Sequence, residues 1–210
     1  MITADQARTF VRCLSVGGVA VFPADTVYGL ACGADEPDAL RRMYALKGRA
    51  PDKPAAVMFF AVGLALAALP ELGPRTRDVL PRLLPGGVTL LLPNPQGRFA
   101  QPGVAEHEDP RAVPTLGLRV PALTDATVAL AEMRWPILQT SANLAGEPDA
   151  RRLVDVPQEL RDEADLLLDA GTLPGTPSTV IDLRAFEDDG TWSIVRAGAV
   201  PETVVAEALG

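Results

Sequence analysis

Lys47-Gly48-Arg49, with Lys53 four residues on, brings three cations into seven positions. In an extended segment, side chains two residues apart leave the same face. Two cations aimed one way, around a glycine and before a proline, suit a polyanionic ligand better than a solvated surface. A structural reading competes: cations near a helix C-terminus, with Gly48 permitting the turn, would cap the helix before them. Upstream, Asp25, Thr26 and Tyr28 follow at once on an apolar, β-branched run that Pro23 stops. They read as polar groups at the mouth of a strand, where open α/β sheets usually meet their ligands. Far downstream, Ser141-Ala142-Asn143 repeats the two-residue spacing, although an N-cap or turn would use the same residue types. Thr115 with Arg119, Ser178 with Thr179, and Arg196 fall at further strand ends. There is no Walker loop, and no Rossmann glycine fingerprint follows the first strand. A nucleotide would therefore be held by separated side chains.

Composition narrows the partners. Acidic residues outnumber basic ones 27 to 19, for a net charge of −8. Proteins that live on nucleic-acid backbones usually carry a basic face, because phosphate neutralisation supplies most of the affinity. Broad RNA or DNA binding is disfavoured, and only a local basic cleft is compatible with this balance. The single histidine, His107, excludes a multi-histidine metal site and argues against a Ser-His-Asp triad. Beside Glu106, Glu108 and Asp109 it reads as decoration of a loop. Cys13 and Cys32 have no metal spacing and read as buried thiols in a reducing cytosol. No apolar run is long enough to span a bilayer, and the first residues lack a signal-peptide pattern, so the expected location is cytoplasmic.

The elements that must position these residues follow from periodicity. Thr3-Ala4-Asp5-Gln6 is a capping-box pattern, opening a helix with Ala7, Phe10, Val11 and Leu14 on one face. A strand is predicted over 19–22, and 27–32 is a loop or a second extended piece. A helix begins at Asp35-Glu36-Pro37 and buries Leu40, Met43, Tyr44 and Leu46. Strands follow at 55–60, 88–92, 116–120, 136–140 and 166–169. Helices are predicted over 61–69, 74–84 (broken or kinked near Pro81), 124–133, 156–164 and 201–209. Strands 178–183 and 192–196 pair around an acidic turn. Residues 94–114, rich in Gly, Pro and charge, read as a lid or mobile segment. The architecture expected is one α/β domain over 1–210, with a twisted, mixed sheet flanked by helices.

Five motifs then fall in order. They are Pro23-Ala24-Asp25-Thr26-Val27-Tyr28-Gly29-Leu30; Lys47-Gly48-Arg49 with Lys53-Pro54; Gly117-Leu118-Arg119-Val120-Pro121; Thr140-Ser141-Ala142-Asn143-Leu144-Ala145-Gly146-Glu147-Pro148; and Ser178-Thr179-Val180-Ile181-Asp182. Together they resemble the YrdC-like family of threonylcarbamoyl-AMP synthases, in its short, single-domain form. The resemblance implies a YrdC-like fold and a nucleotidyltransferase. The implied reaction takes L-threonine, bicarbonate and ATP, with Mg²⁺, to threonylcarbamoyl-AMP and pyrophosphate. A tRNA threonylcarbamoyl-transferase complex would take the product, with at most a weak tRNA contact here and no membrane. Several anions must meet, so catalysis would be mainly positioning and charge neutralisation.

By the same resemblance, Arg49, Lys53 and Arg196 are assigned to the phosphates and Lys47 to the reacting carbamate and phosphate. Ser141 and Asn143 would bond the nucleotide or intermediate, and Thr115 would face the nucleotide. Thr26, Arg119 and Ser178 would hold threonine, Arg119 pairing its carboxylate. Tyr28 and Met58 would wall the pocket. Ala24, Ala145 and Met58 depart from common family residues, which leaves amino-acid selectivity open: a paralogue acting on a different amine, or on none, is the alternative. A non-catalytic RNA-binding module is a third.

Overall fold

A computed structural model describes residues 1–48, 54–99, 101 and 114–210. Alternation along the strands builds the molecule. In β4 (Val88–Pro93), Val88, Leu90 and Leu92 are buried while Thr89 and Leu91 are not. β5 (Thr115–Arg119) and β8 (Thr179–Asp182) alternate likewise between buried and half-buried positions, up to Arg119, which is buried. Side chains two apart share a face, so each strand gives one set to an apolar layer and keeps the other.

These three strands join β1 (Ala20–Pro23), β2 (Tyr28–Gly33), β3 (Ala56–Met58), β6 (Ile137–Ser141), β7 (Leu166–Leu167) and β9 (Ser193–Arg196). The described residues form one nine-stranded sheet, ordered β7-β1-β2-β6-β3-β5-β4-β8-β9. It is mixed, as expected: β1 pairs β2 antiparallel, whereas β3 pairs β5 and β4 pairs β8 in parallel.

One face is covered by six helices: α2 (Pro37–Lys47), α3 (Val62–Ala68), α4 (Pro74–Leu83), α5 (Gln158–Glu163), α6 (Phe186–Asp189) and α7 (Glu202–Leu209). Their Leu40, Met43, Leu80, Leu160, Phe186 and Val205 share the larger core cluster with Val21, Leu30, Val57, Leu90, Leu118 and Ile181 of the strands. Among the described residues, the other face receives α1 (Ala4–Ser15) and a 3-10 turn (Val128–Glu132). Phe10, Leu14, Leu130 and Met133 close a smaller cluster there, over Phe22, Ala31, Met58 and Ile137. α1 opens with the expected capping box between Thr3 and Gln6. Among the described residues, no helix is long and apolar enough to cross a membrane.

Several local expectations change. Residues 28–33 are a central strand. The helix expected over 124–133 shrinks to the 3-10 turn, because Thr127 Oγ1 accepts from the Thr124 amide (3.0 Å) and holds the chain in a local turn. Pro81 does not break α4; it sits in the last turn, two residues before the end. The acidic turn at 187–190 is largely the short helix α6. Cys32 is buried and its thiol is pushed up to about 12 by desolvation, whereas Cys13 is half-buried. Most of the expected lid lies outside the described residues, as do His107, Arg49 and Lys53.

Candidate active site

Where α1 and the 3-10 turn stop, the same sheet face continues as the floor of a cavity of about 250 Å³. Most of its lining comes from side chains that alternation keeps out of the larger core: Ala56 of β3, Thr89 and Leu91 of β4, Thr115, Gly117 and Arg119 of β5, Gln139 and Ser141 of β6, and Val180 of β8. The rim adds Thr26, Val27, Pro54, Asp149, Ser178 and Arg196. The sequence suggested a site at strand ends; most of it lies on the face of the sheet. This difference follows from a nearly all-helical covering on one side only.

Arg119 is the buried cation of this floor. Its NH2 donates to Asp25 Oδ1 at 2.6 Å, and the two side chains are 4% and 5% exposed. Asp25 stands in the tight β1–β2 turn, between Pro23 and Tyr28, which face each other in the ladder. Its Oδ2 accepts from the Ala122 amide at 3.2 Å, so one carboxylate fixes the end of β5 from both sides. Desolvation pushes the Arg119 guanidinium below its ordinary value, against the pull of Asp25. Arg119 Nε and the neighbouring Thr26 Oγ1 are buried and have no hydrogen-bond partner among the described residues. Buried polar groups normally find one. Both residues line the cavity, so a bound polar ligand would satisfy them.

A second corner is built by Lys47, Ser141 and Asn143. Lys47 is the last residue of α2, and Gly48 follows with φ 59°, a left-handed C-cap. The capping reading of this motif therefore holds for the backbone, and the extended-segment argument does not hold at Lys47. The buried ammonium donates to the Ser141 carbonyl (2.5 Å), Ser141 Oγ (3.0 Å) and Asn143 Oδ1 (2.7 Å). Ser141 Oγ also donates to Asn143 Oδ1, at 2.7 Å. Asn143 Nδ2 donates to the Glu147 carbonyl, which orients the amide. The two motifs thus meet through Lys47, but Lys47 itself is not part of the cavity lining. It reaches the cavity through Ser141.

The third corner holds Ser178, Thr89 and Arg196. Ser178 Oγ and Thr89 Oγ1 are 2.7 Å apart. Arg196 NH2 donates to the Ser178 carbonyl at 2.7 Å and to its Oγ at 3.2 Å. Arg196 comes from the edge strand β9 and is solvent-exposed. Thr115 lines the cavity as expected.

Two expected wall residues are elsewhere. Tyr28 faces the larger core, and its hydroxyl donates to Asp169 Oδ1 and the Gly171 carbonyl, both at 2.8 Å. Burial, more than these contacts, pushes its hydroxyl up to about 12. Met58 shares Arg119's row and face but is wholly buried under the smaller cluster, beside Phe60 and Met133. Ala24 and Ala145 are also outside the lining, so none of the three family departures touches the cavity. Conversely, sequence reasoning left Asp25, Thr89, Gln139 and Asp149 without a role. Asp25 and Gln139 did carry a signal, each being a polar residue within or beside a quoted motif.

The Sua5/YciO/YrdC family model, described as "Telomere recombination", matches residues 12–198. A threonylcarbamoyl-AMP synthase of Pseudomonas aeruginosa is 33% identical over 87% of this chain and 95% of its own length. One of Pyrococcus abyssi is 27% identical over 97% of this chain and 56% of its own. The crystal structure of P. abyssi Sua5 complexed with L-threonine superposes with a TM-score of 0.82 at 25% identity, covering 100% of this chain and 59% of that one. The chain thus spans little more than half the length of these archaeal relatives.

Proposed function

This chain belongs to the Sua5/YciO/YrdC family, and from that premise we propose that it is an L-threonylcarbamoyladenylate synthase. L-threonine and bicarbonate give the carbamate with loss of water. A carbamate oxygen then attacks the α-phosphorus of ATP, and pyrophosphate leaves. The observation that carries this reading is the pair of buried donors without a partner among the described residues, Arg119 Nε and Thr26 Oγ1, on two residues that line one small cavity beside the Lys47–Ser141–Asn143 corner. A carboxylate fits the free edge of a guanidinium, and Asp25 preorganises that edge.

In this reading Thr26, Arg119 and Ser178 hold the amino acid. Ser141 and Asn143, oriented by Lys47, meet the nucleotide or the intermediate, with Thr115 facing the nucleotide. Arg196, together with Arg49 and Lys53, neutralises phosphates. No proton-transferring histidine is needed, since the work is alignment and charge neutralisation. Among the described residues no cluster of His, Cys, Asp and Glu could hold a metal, and Asp149 is the one carboxylate in the described lining. That donor set fits Mg²⁺ carried in on ATP phosphates, as is usual for this ion; when bound it supplies charge neutralisation there. The product would pass to a transferase acting on tRNA.

The test is pyrophosphate release from ATP and Mg²⁺, with L-threonine and bicarbonate supplied together and singly, and with L-serine in threonine's place. Release that requires both co-substrates, with an adduct of threonylcarbamoyl-AMP mass, is expected. Equal release with serine, or none with threonine, overturns the assignment.

A further inference from the structure

Gln139 is 7% exposed and lines the cavity, yet its side-chain amide has no hydrogen-bond partner among the described residues. The amide oxygen and nitrogen are not among the sealed, unpartnered atoms; they open onto the cavity, where a ligand could take up their hydrogen-bonding capacity. Register locates it. On β6 it faces Ala31 of β2 and Ala56 of β3, and the same row continues through Gly117 to Leu91. Ala56 and Gly117 leave a trough floored by small residues. A Cβ at Gly117 would meet its protein neighbours only at 3.7–3.8 Å, so the backbone does not demand glycine there; the missing side chain keeps the trough open.

The amide occupies the end of this trough next to Ser141, which is two residues on and shares its face. Gly29, opposite Ser141 in the ladder, makes room for it: Gln139 Oε1 lies 3.2 Å from where a Gly29 Cβ would stand. Arg119 sits one row away, on the far side of Ala56. A small ligand whose carboxylate meets Arg119 and whose reacting end meets Ser141 must pass its nitrogen and new carboxyl group over this trough.

We propose that Gln139 contacts the carbamate of the bound substrate and selects it over the uncarboxylated amine. This rests on the synthase reading above. A carbamate presents an N–H donor and a carboxylate acceptor side by side. A glutamine amide offers the complement, an oxygen acceptor and an NH2 donor in one plane. An ammonium group offers donors alone and satisfies only half of the amide. Gln139 cannot take up a proton, so it holds the carbamate as the anion whose oxygen attacks phosphorus.

Gln139→Leu, close in volume and unable to hydrogen-bond, is the test. Pyrophosphate release is followed at saturating ATP and L-threonine while bicarbonate is varied, and L-threonine binding without bicarbonate is measured by calorimetry. The expected result is a loss of fivefold or more in kcat/KM for bicarbonate, with threonine affinity within twofold of wild type; the preserved affinity also reports a folded site. A smaller loss, or threonine affinity falling by the same factor, overturns the proposal. Wild-type protein that releases no pyrophosphate overturns both this assignment and the synthase reading. Wild-type turnover with an unaffected Gln139→Leu overturns this one alone.

Discussion

Replacing Asp25 by Asn tests how the site is held. The Asp25–Arg119 pair is 2.6 Å apart and about 95% buried on both sides. Asn keeps the size and can still accept from the Ala122 amide, but it leaves the guanidinium charge in the sheet without a counter-charge. Removing one partner of a buried pair costs about 3–5 kcal/mol. At about 2–4 °C per kcal/mol for a chain of this size, the melting temperature should fall by roughly 6–20 °C. Arg119→Leu should also destabilise, because it strands the carboxylate. The double variant lacks both charges and should be more stable than the sum of the two losses predicts, with a coupling of about 1–3 kcal/mol. Urea unfolding of the four proteins measures that cycle. Melting with and without L-threonine adds a functional arm: threonine should stabilise the wild type and have little effect on Asp25→Asn. A melting temperature for Asp25→Asn within about 2 °C of wild type, or strictly additive losses, would refute the idea that this carboxylate fixes Arg119.

Three further outcomes are expected. Lys47→Met should lower turnover at least tenfold while threonine affinity stays near wild type, since Lys47 acts through Ser141 and Asn143; a pure threonine-binding defect would contradict that placement. Tyr28→Phe should cost about 1–3 kcal/mol, because Asp169 and the Ala170 amide lose their partner, and should leave kinetic constants unchanged; an altered KM for threonine would return Tyr28 to the pocket wall. Acid should destabilise the fold through Asp165, Asp169 and Asp182. Their carboxyls lie below the ordinary value, held down first by Arg42, by the Gly171 amide and by Arg184 respectively. A depressed folded value means their contribution is complete above the ordinary aspartate value near ~3.9 and is lost as pH falls through the lower folded values. Asp165→Asn, measured by denaturation at pH 7 and pH 3, should therefore lose stability at pH 7 and differ less from wild type at pH 3.

Local sequence carried much of the fold. The alternation in 88–92 and 115–119, the capping box at Thr3 and the proline-opened helix at Pro37 each depend on neighbours within a few residues. Expectations failed where distant partners intervened. Ala55 lies outside β3 because its amide donates to Tyr44 Oη and Gln101 Oε1, neither close in sequence. Residues 28–33 lack a polar alternation because both faces of β2 are covered, so strand and loop read alike. Of the residues singled out in the sequence, Thr26, Thr115, Arg119, Ser141, Ser178 and Arg196 line one cavity, and Asn143 touches it through Ser141. Nothing local said that Asp25 would meet a guanidinium from a strand 94 positions away. The resemblance put Tyr28 and Met58 on the pocket wall; Tyr28 instead projects from the opposite sheet face, a one-residue step from Gly29, and Met58, on the cavity face, is covered by the smaller cluster.

The alternation has an evolutionary consequence. On β4 and β5, Leu90, Leu92, Leu116 and Leu118 answer to packing, while Thr89, Leu91, Thr115 and Gly117 answer to whatever occupies the cavity. The two sets share a backbone but face opposite sides of the sheet. A lineage could therefore rewrite the second set to suit another ligand without first rescuing a weakened core. Such a strand is a keyboard mounted on a fixed frame, and new specificities are open to it one key at a time.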